Sequence, residues 1–403
     1  MNSKKRRTSR TSKLPPEPKK PKRAFNSIKN AYVDSFAHLA LKLLNTKNKE
    51  SSVTSPYSIC LMMATAGVGA RGRTQQEIFE AIINSANIEA ASNFFGESFE
   101  ELTELRVASA VFVDQHCTLK DNYKNQLKQH YSTNLQSADF SKNAARERKR
   151  INAFIEEKTN GQIQNLIPSV AISDETRFVL ANAVYLTAHF DDIFDEEYTK
   201  LRTFHGESRR KTKVLTMEGM IEAGADQNVP AANPRKLLTS FFHYLDFFIG
   251  KDQKYRFFIF LPVKKVSCAR LRAELLGENS LNFSEIFNKA EPIQEAWLEI
   301  PKFKTEANFD LVPFLESCGV LEAFKPSADF SGITDEPLQL GFAGHKAMFE
   351  MNEKGITASA ASYCTSIPIS GSLMRKHFKM IANRPFLYGI CCNGLPLFLG
   401  QYY

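Results

Sequence analysis

Five acidic side chains crowd the stretch Asp191, Asp192, Asp195, Glu196 and Glu197, the first place in this sequence where a cation could be held. The alternating D-x-D spacing that wraps a calcium ion is missing, so the cluster reads as a solvated acidic face. Other chemistry is equally hard to assemble. No G-x-x-x-x-G-K-[ST], no G-x-G-x-x-G opening a helix, no H-E-x-x-H and no G-x-S-x-G is present. The eight histidines are scattered, with no pair at ligand spacing. The seven cysteines, Cys60, Cys117, Cys268, Cys318, Cys364, Cys391 and Cys392, form no C-x-x-C and are expected as reduced thiols. Neither an enzyme's catalytic set nor a cofactor or metal site is legible.

The charge has an address. Residues 1–23 hold ten Lys/Arg and one acid, a net of +9, in a chain whose total is +8. The remaining 380 residues are therefore nearly neutral. This tail has four prolines and almost no apolar content, so residues 1–24 are expected to stay disordered. Lys4, Lys5, Arg6 and Arg7, with Lys19, Lys20, Lys22 and Arg23, read as a nuclear-import or nucleic-acid patch; a solvated tail with no receptor is the other reading. The start of the chain shows no apolar h-region, which points to the cytoplasm or nucleus. No apolar run reaches the ~18 residues of a membrane span.

Behind these residues, the elements form one α+β domain over residues 25–403. Tyr32, Phe36, Leu39, Ala40 and Leu43 recur at helical spacing, and a second helix runs through Ile59–Ala66 until its glycines. Ala108–Val113, Phe178–Leu186, Phe257–Pro262 and Ala296–Phe303 read as buried strands. The C-terminus reads as a hairpin, Pro385–Cys391 and Leu397–Gly400 around Asn393-Gly394.

Seven blocks, in order, resemble the serpin family from about residue 30 to the end. They are Thr54-Ser55-Pro56-Tyr57-Ser58-Ile59, Gly69-Ala70-Arg71-Gly72-Arg73-Thr74, Thr159-Asn160-Gly161-Gln162-Ile163, Leu180-Ala181-Asn182-Ala183-Val184-Tyr185, Ala328-Asp329-Phe330-Ser331-Gly332-Ile333, His345-Lys346-Ala347 and Asn383-Arg384-Pro385-Phe386-Leu387. The resemblance implies three sheets, about nine helices and a mobile reactive loop over about 353–384. It also implies a protease inhibitor that acts as a single-use trap: the cleaved loop inserts as a new central strand while the protease is still attached. Ser55, Ser58, Asn182 and His345 match the family's hydrogen-bonded shutter, and Lys302 with Glu353 matches the charge pair at the loop root. The family's aromatic beside that pair is usually Trp, where this chain has Phe190.

The hinge Glu353, Lys354, Gly355, Ile356, Thr357, Ala358, Ser359, Ala360, Ala361 and Ser362 has a physical reading of its own. Period-2 alternation puts Ile356, Ala358, Ala360, Ser362 and Cys364 on the face that would enter the core. Four of the five are small, and no proline or charge interrupts Gly355–Ile367. Ile356 departs from the Thr or Ser usual in inhibitory relatives; its bulk would slow insertion and favour plain hydrolysis. The family spacing from Glu353 puts the reactive bond at Ile369–Ser370, and counting back from Pro385 puts it nearer 371–374. An aliphatic residue there suits an elastase- or chymotrypsin-like serine protease, with an intracellular cysteine protease as the other class. A non-inhibitory binding protein, with the nucleus as one location for it, is the alternative function, and extracellular residence, common in the family, the alternative location. The chain is expected to act as a monomer, without a membrane.

Overall fold

The computed structural model describes residues 22–403 apart from 86, 103–105, 188–189, 191–192, 208–209, 224–230, 251–252, 278–280 and 354–376. Lys4 to Lys20 of the basic patch, the hinge from Lys354 onward and the bond Ile369–Ser370 lie outside the described residues. The first helix, Lys22–Asn45, takes in Lys22 and Arg23, so it begins within the expected tail. Helix ends carry a tolerance of one or two residues. Its periodic residues Tyr32, Phe36, Leu39, Ala40 and Leu43 are all buried.

Among the described residues there are nine α-helices and three sheets of seven, four and five strands. Helix Pro56–Gly69 is buried along its whole length, because it is apolar on every side and so belongs inside. It starts sharply: Pro56 occupies the first turn and the Ser55 hydroxyl caps the Ser58 amide. The seven-stranded sheet contains the expected hairpin, Phe386–Cys392 with Leu395–Tyr402. Its turn places Asn393 at φ 49° and Gly394 at φ 84°, the left-handed pair that a two-residue hairpin demands.

The expected single strand Ala296–Phe303 is instead two. Glu295–Pro301 lies in the four-stranded sheet, while Phe303–Asp310 edges the five-stranded one, with Lys302 at the joint. A proline that cannot donate to a ladder ends the first strand. The second then alternates strictly between buried Phe303, Thr305, Ala307 and Phe309 and exposed Lys304, Glu306, Asn308 and Asp310.

The five-stranded sheet runs in the order Phe303–Asp310, Phe342–Met351, Phe178–Thr187, Arg106–Asp114, Asn134–Ala138. Its back face, with Val111, Leu180, Val184, Ala343 and Phe349, joins the main core. Its front face, with Ala108, Ala110, Ala181 and Ala183, packs under Ile151 and Ile155 of helix Phe140–Lys158. Alternation in two buried strands thus builds two separate cores.

Candidate functional site

Strands Phe342–Met351 and Phe178–Thr187 are parallel neighbours, paired from Phe342↔Val179 to Glu350↔Thr187. Halfway along this seam, four residues stand abreast on successive strands: Phe309, His345, Asn182 and Ser109. Asn182 and His345 point into the back core, where both are fully buried. The Ser55 amide donates to His345 Nε2 at 3.1 Å, which assigns the ring proton to Nδ1. Nδ1 donates in turn to Asn182 Oδ1 at 2.8 Å, and the Ser58 hydroxyl donates to the same oxygen at 2.9 Å. The four residues matched to the shutter are therefore one network, with His345 neutral. Burial holds the His345 ring well below its ordinary value, at about 3. Phe309, which sequence reasoning did not single out, stacks on the ring at 6.2 Å between centroids.

The seam ends at the loop root. Lys302 Nζ donates to Glu353 Oε2 at 2.6 Å, and the Thr199 hydroxyl donates to Oε1 at 2.6 Å. Burial alone would raise the Glu353 carboxyl, but the hydrogen bonds from Lys302 and Thr199 outweigh it and hold the group below its ordinary value. Thr199 carried no signal in the sequence, since a lone threonine before a strand resembles any other. Phe190 is fully buried against Phe194, Phe247 and Phe257, with centroids 5.7, 6.2 and 5.6 Å away. Aromatic edges and faces thus pack around Phe190 in the core.

Other blocks support the seam from a distance. The Arg71 amide donates to Asp329 O at 2.8 Å, the Asp329 amide to Thr74 Oγ1 at 2.9 Å and the Gly332 amide to Gly69 O at 2.9 Å. A Cβ on Gly332 would meet the Arg71 guanidinium at 2.6 Å, so any side chain there would displace that guanidinium. Thr159 Oγ1 accepts the Ile163 amide at 3.1 Å while Gly161 turns the chain at φ 76°. That turn sends the chain forward over the sheet, where Asn308 Nδ2 donates to Leu166 O and Lys346 Nζ to Gln164 O.

No group of three or more His, Cys, Asp or Glu able to hold a metal exists among the described residues, and Cys60, Cys117, Cys268, Cys318 and Cys391 are free thiols. No helix among them is long and apolar enough to cross a membrane.

Comparison with known proteins places these features. The family profile described as "Serpin (serine protease inhibitor)" matches residues 31–403. Serpin B6 of Pongo abelii is 27% identical over 382 residues, covering 91% of this chain and 97% of the relative. Serpin B9 of Homo sapiens is 28% identical over 386 residues, again covering 91% and 97%. The crystal structure of Serpin48 from the insect Tenebrio molitor superposes with a TM-score of 0.78 at 25% identity, covering 93% of this chain and 97% of that one.

Proposed function

This chain belongs to the serpin family, and we propose that it is a suicide-substrate inhibitor of a serine protease, trapping the acyl-enzyme by inserting its cleaved loop between Phe178–Thr187 and Phe342–Met351. The observation that carries the reading is the direction of those two strands. The loop leaves the end of Phe342–Met351 at Glu353, so a loop that folds back runs antiparallel to that strand. Because Phe178–Thr187 is parallel to Phe342–Met351, the same insert runs antiparallel to both. One parallel ladder is exchanged for two antiparallel ones, and antiparallel pairing is the slightly more stable kind per residue. Gly355–Ile367 offers thirteen uninterrupted residues, enough to line a ten-residue strand.

The chemistry belongs to the protease. Its nucleophile attacks the loop at Ile369–Ser370, and the acyl bond persists while insertion carries the protease away from the loop root. The small hinge residues Ala358, Ala360 and Ser362 favour rapid entry into a dense interior. The aliphatic Ile369 points to an elastase- or chymotrypsin-like target. The similarity to serpins B6 and B9 supports a location inside the cell, and the basic tail supports the nucleus as part of it, through an import receptor or weak nucleic-acid contacts.

Incubation with elastase, chymotrypsin and a papain-type protease, followed by denaturing electrophoresis, tests the trap. A covalent band at the summed mass is expected with a serine protease, and Ala360→Arg is expected to abolish it by placing a charge on the entering face. Loop cleavage by every protease with no such band would make the chain a binding protein that kept the fold without the trap; Ile356 is the residue that favours this second reading.

A further inference from the structure

Helix Phe140–Lys158 lies on the front of the five-stranded sheet, and its outward side is strongly basic. Between Lys142 and Arg150 stand five basic side chains and one acid, a net of +4. The acid, Glu147, is buried and paired with Arg150 at 2.7 Å, and Arg148 donates to Ile167 O at 3.3 Å. That leaves Lys142, Arg146 and Lys149 exposed, none in an ion pair among the described residues.

Helix electrostatics alone would not choose this arrangement. The helix has no acidic residue in its first turn, and Asn143 departs from helical geometry, so the regular helix begins near Ala144. Arg146 then sits in the first turn, at the positive end of the helix dipole, where cations are unfavourable. Arg146 also has Lys149 three residues on and Arg150 four residues on, and like charges at these spacings repel. A polyanion laid across the face would relieve all of these repulsions at once. By contrast, helix Ile88–Glu101 carries only acids among its charged residues.

We propose that the exposed face formed by Lys142, Arg146 and Lys149 is a contact surface for the phosphate backbone of duplex nucleic acid. The three side chains fall within eight consecutive residues, Lys142 just before the bend at Asn143 and Arg146 and Lys149 three apart on the regular helix, and a duplex presents about six phosphates over roughly 10 Å. The contact is with backbone charge alone and reads no base sequence. Nucleic acid is favoured over a sulfated polysaccharide because residues 1–23 of the same chain add a net of +9 in Lys/Arg runs whose composition reads independently as a nucleic-acid or import patch.

The full-length chain is titrated with a fluorescent 20-base-pair duplex at several salt concentrations. It is compared with Lys142→Gln/Arg146→Gln/Lys149→Gln, with a chain whose tail Lys/Arg are changed to Gln, and with both sets combined. Three lost phosphate contacts are expected to flatten the slope of log affinity against log salt by about 2.7, in the presence or absence of the tail charges. The triple variant is also expected to melt at the same or a higher temperature, since it loses repulsion, which separates lost binding from lost folding. An unchanged slope in both backgrounds overturns the surface. A heparin fragment of matched length that competes at a tenth of the duplex concentration, and loses that advantage in the triple variant, overturns nucleic acid as its partner.

Discussion

His345 Nδ1 lies 2.8 Å from Asn182 Oδ1, across the one seam at which the proposed insertion would part the sheet. A new strand between them would move the two backbones from one strand spacing to two, about 4.8 to about 9.6 Å, so this bond cannot survive insertion. The same ring ties the chain to acid. Its proton is bound near pH 6.5 in the unfolded chain and only near pH 3 in the folded one. Across that window the unfolded state holds more protons, so stability is whole above about 6.5 and falls as pH drops toward 3. The expected slope from this group is at most ~1.4 kcal/mol per pH unit. His345→Gln is expected to remove one proton's worth of that slope, measured by denaturant unfolding between pH 6.5 and 4.5; an unchanged slope would assign acid sensitivity to other groups.

Lys302→Ala should loosen the loop root. It leaves the Glu353 carboxylate buried with Thr199 as its one side-chain donor among the described residues. Breaking a buried pair costs several kcal/mol, but Lys302 is 37% exposed and water softens the loss, so about 1–3 kcal/mol is expected. Adding Glu353→Gln to Lys302→Ala should restore part of this, because the uncompensated charge is gone. Thermal unfolding of the two variants measures it, and equal melting temperatures for both would show that the charge is already solvated.

Ile356→Thr tests the proposed hinge. Removing volume where the loop first enters should speed insertion, since overpacking costs ~1–3 kcal/mol. The readout is the stoichiometry of inhibition against whichever protease forms the covalent band, and it should fall. If it stays the same, entry is limited elsewhere, with the shutter bond His345–Asn182 the first place to look.

Changing Lys4, Lys5, Arg6, Arg7, Lys19, Lys20, Lys22 and Arg23 to Gln should leave melting temperature and inhibition nearly unchanged. The same change is expected to shift a fluorescently tagged chain from the nucleus to an even distribution. Exclusion of the unaltered chain from the nucleus would refute the import reading.

The segments that depend on local chemistry were legible before any coordinates. The helix stripe Tyr32 to Leu43 and the Asn393-Gly394 turn each follow from short-range sterics and periodicity, and each is where the pattern put it. The shutter residues were legible only through resemblance, because nothing in the spacing of Ser55, Asn182 and His345 announces that they meet. Their sequence separations, 163 residues from Asn182 to His345 and 290 from Ser55 to His345, leave that meeting to the pairing of strands. The break at Lys302 was missed for the same reason. Pro301 marks a possible end, but whether the chain stops or changes sheets depends on which neighbours offer a ladder.

What the sequence by itself determined is the set of parts: one α+β domain behind a basic tail, strands buried on both faces, a run of small residues free of proline and charge, and a buried polar set whose members must find partners. What only the tertiary structure decided is their joint geometry. It set the parallel direction of Phe178–Thr187 beside Phe342–Met351, the proton on His345 Nδ1, Thr199 as second donor to Glu353, and the exposure of Lys142, Arg146 and Lys149 on helix Phe140–Lys158. The physical reason is range. Propensity, capping and turn chemistry act over a few residues, whereas strand direction, burial and hydrogen-bond satisfaction are properties of surfaces that meet only once the whole chain has packed.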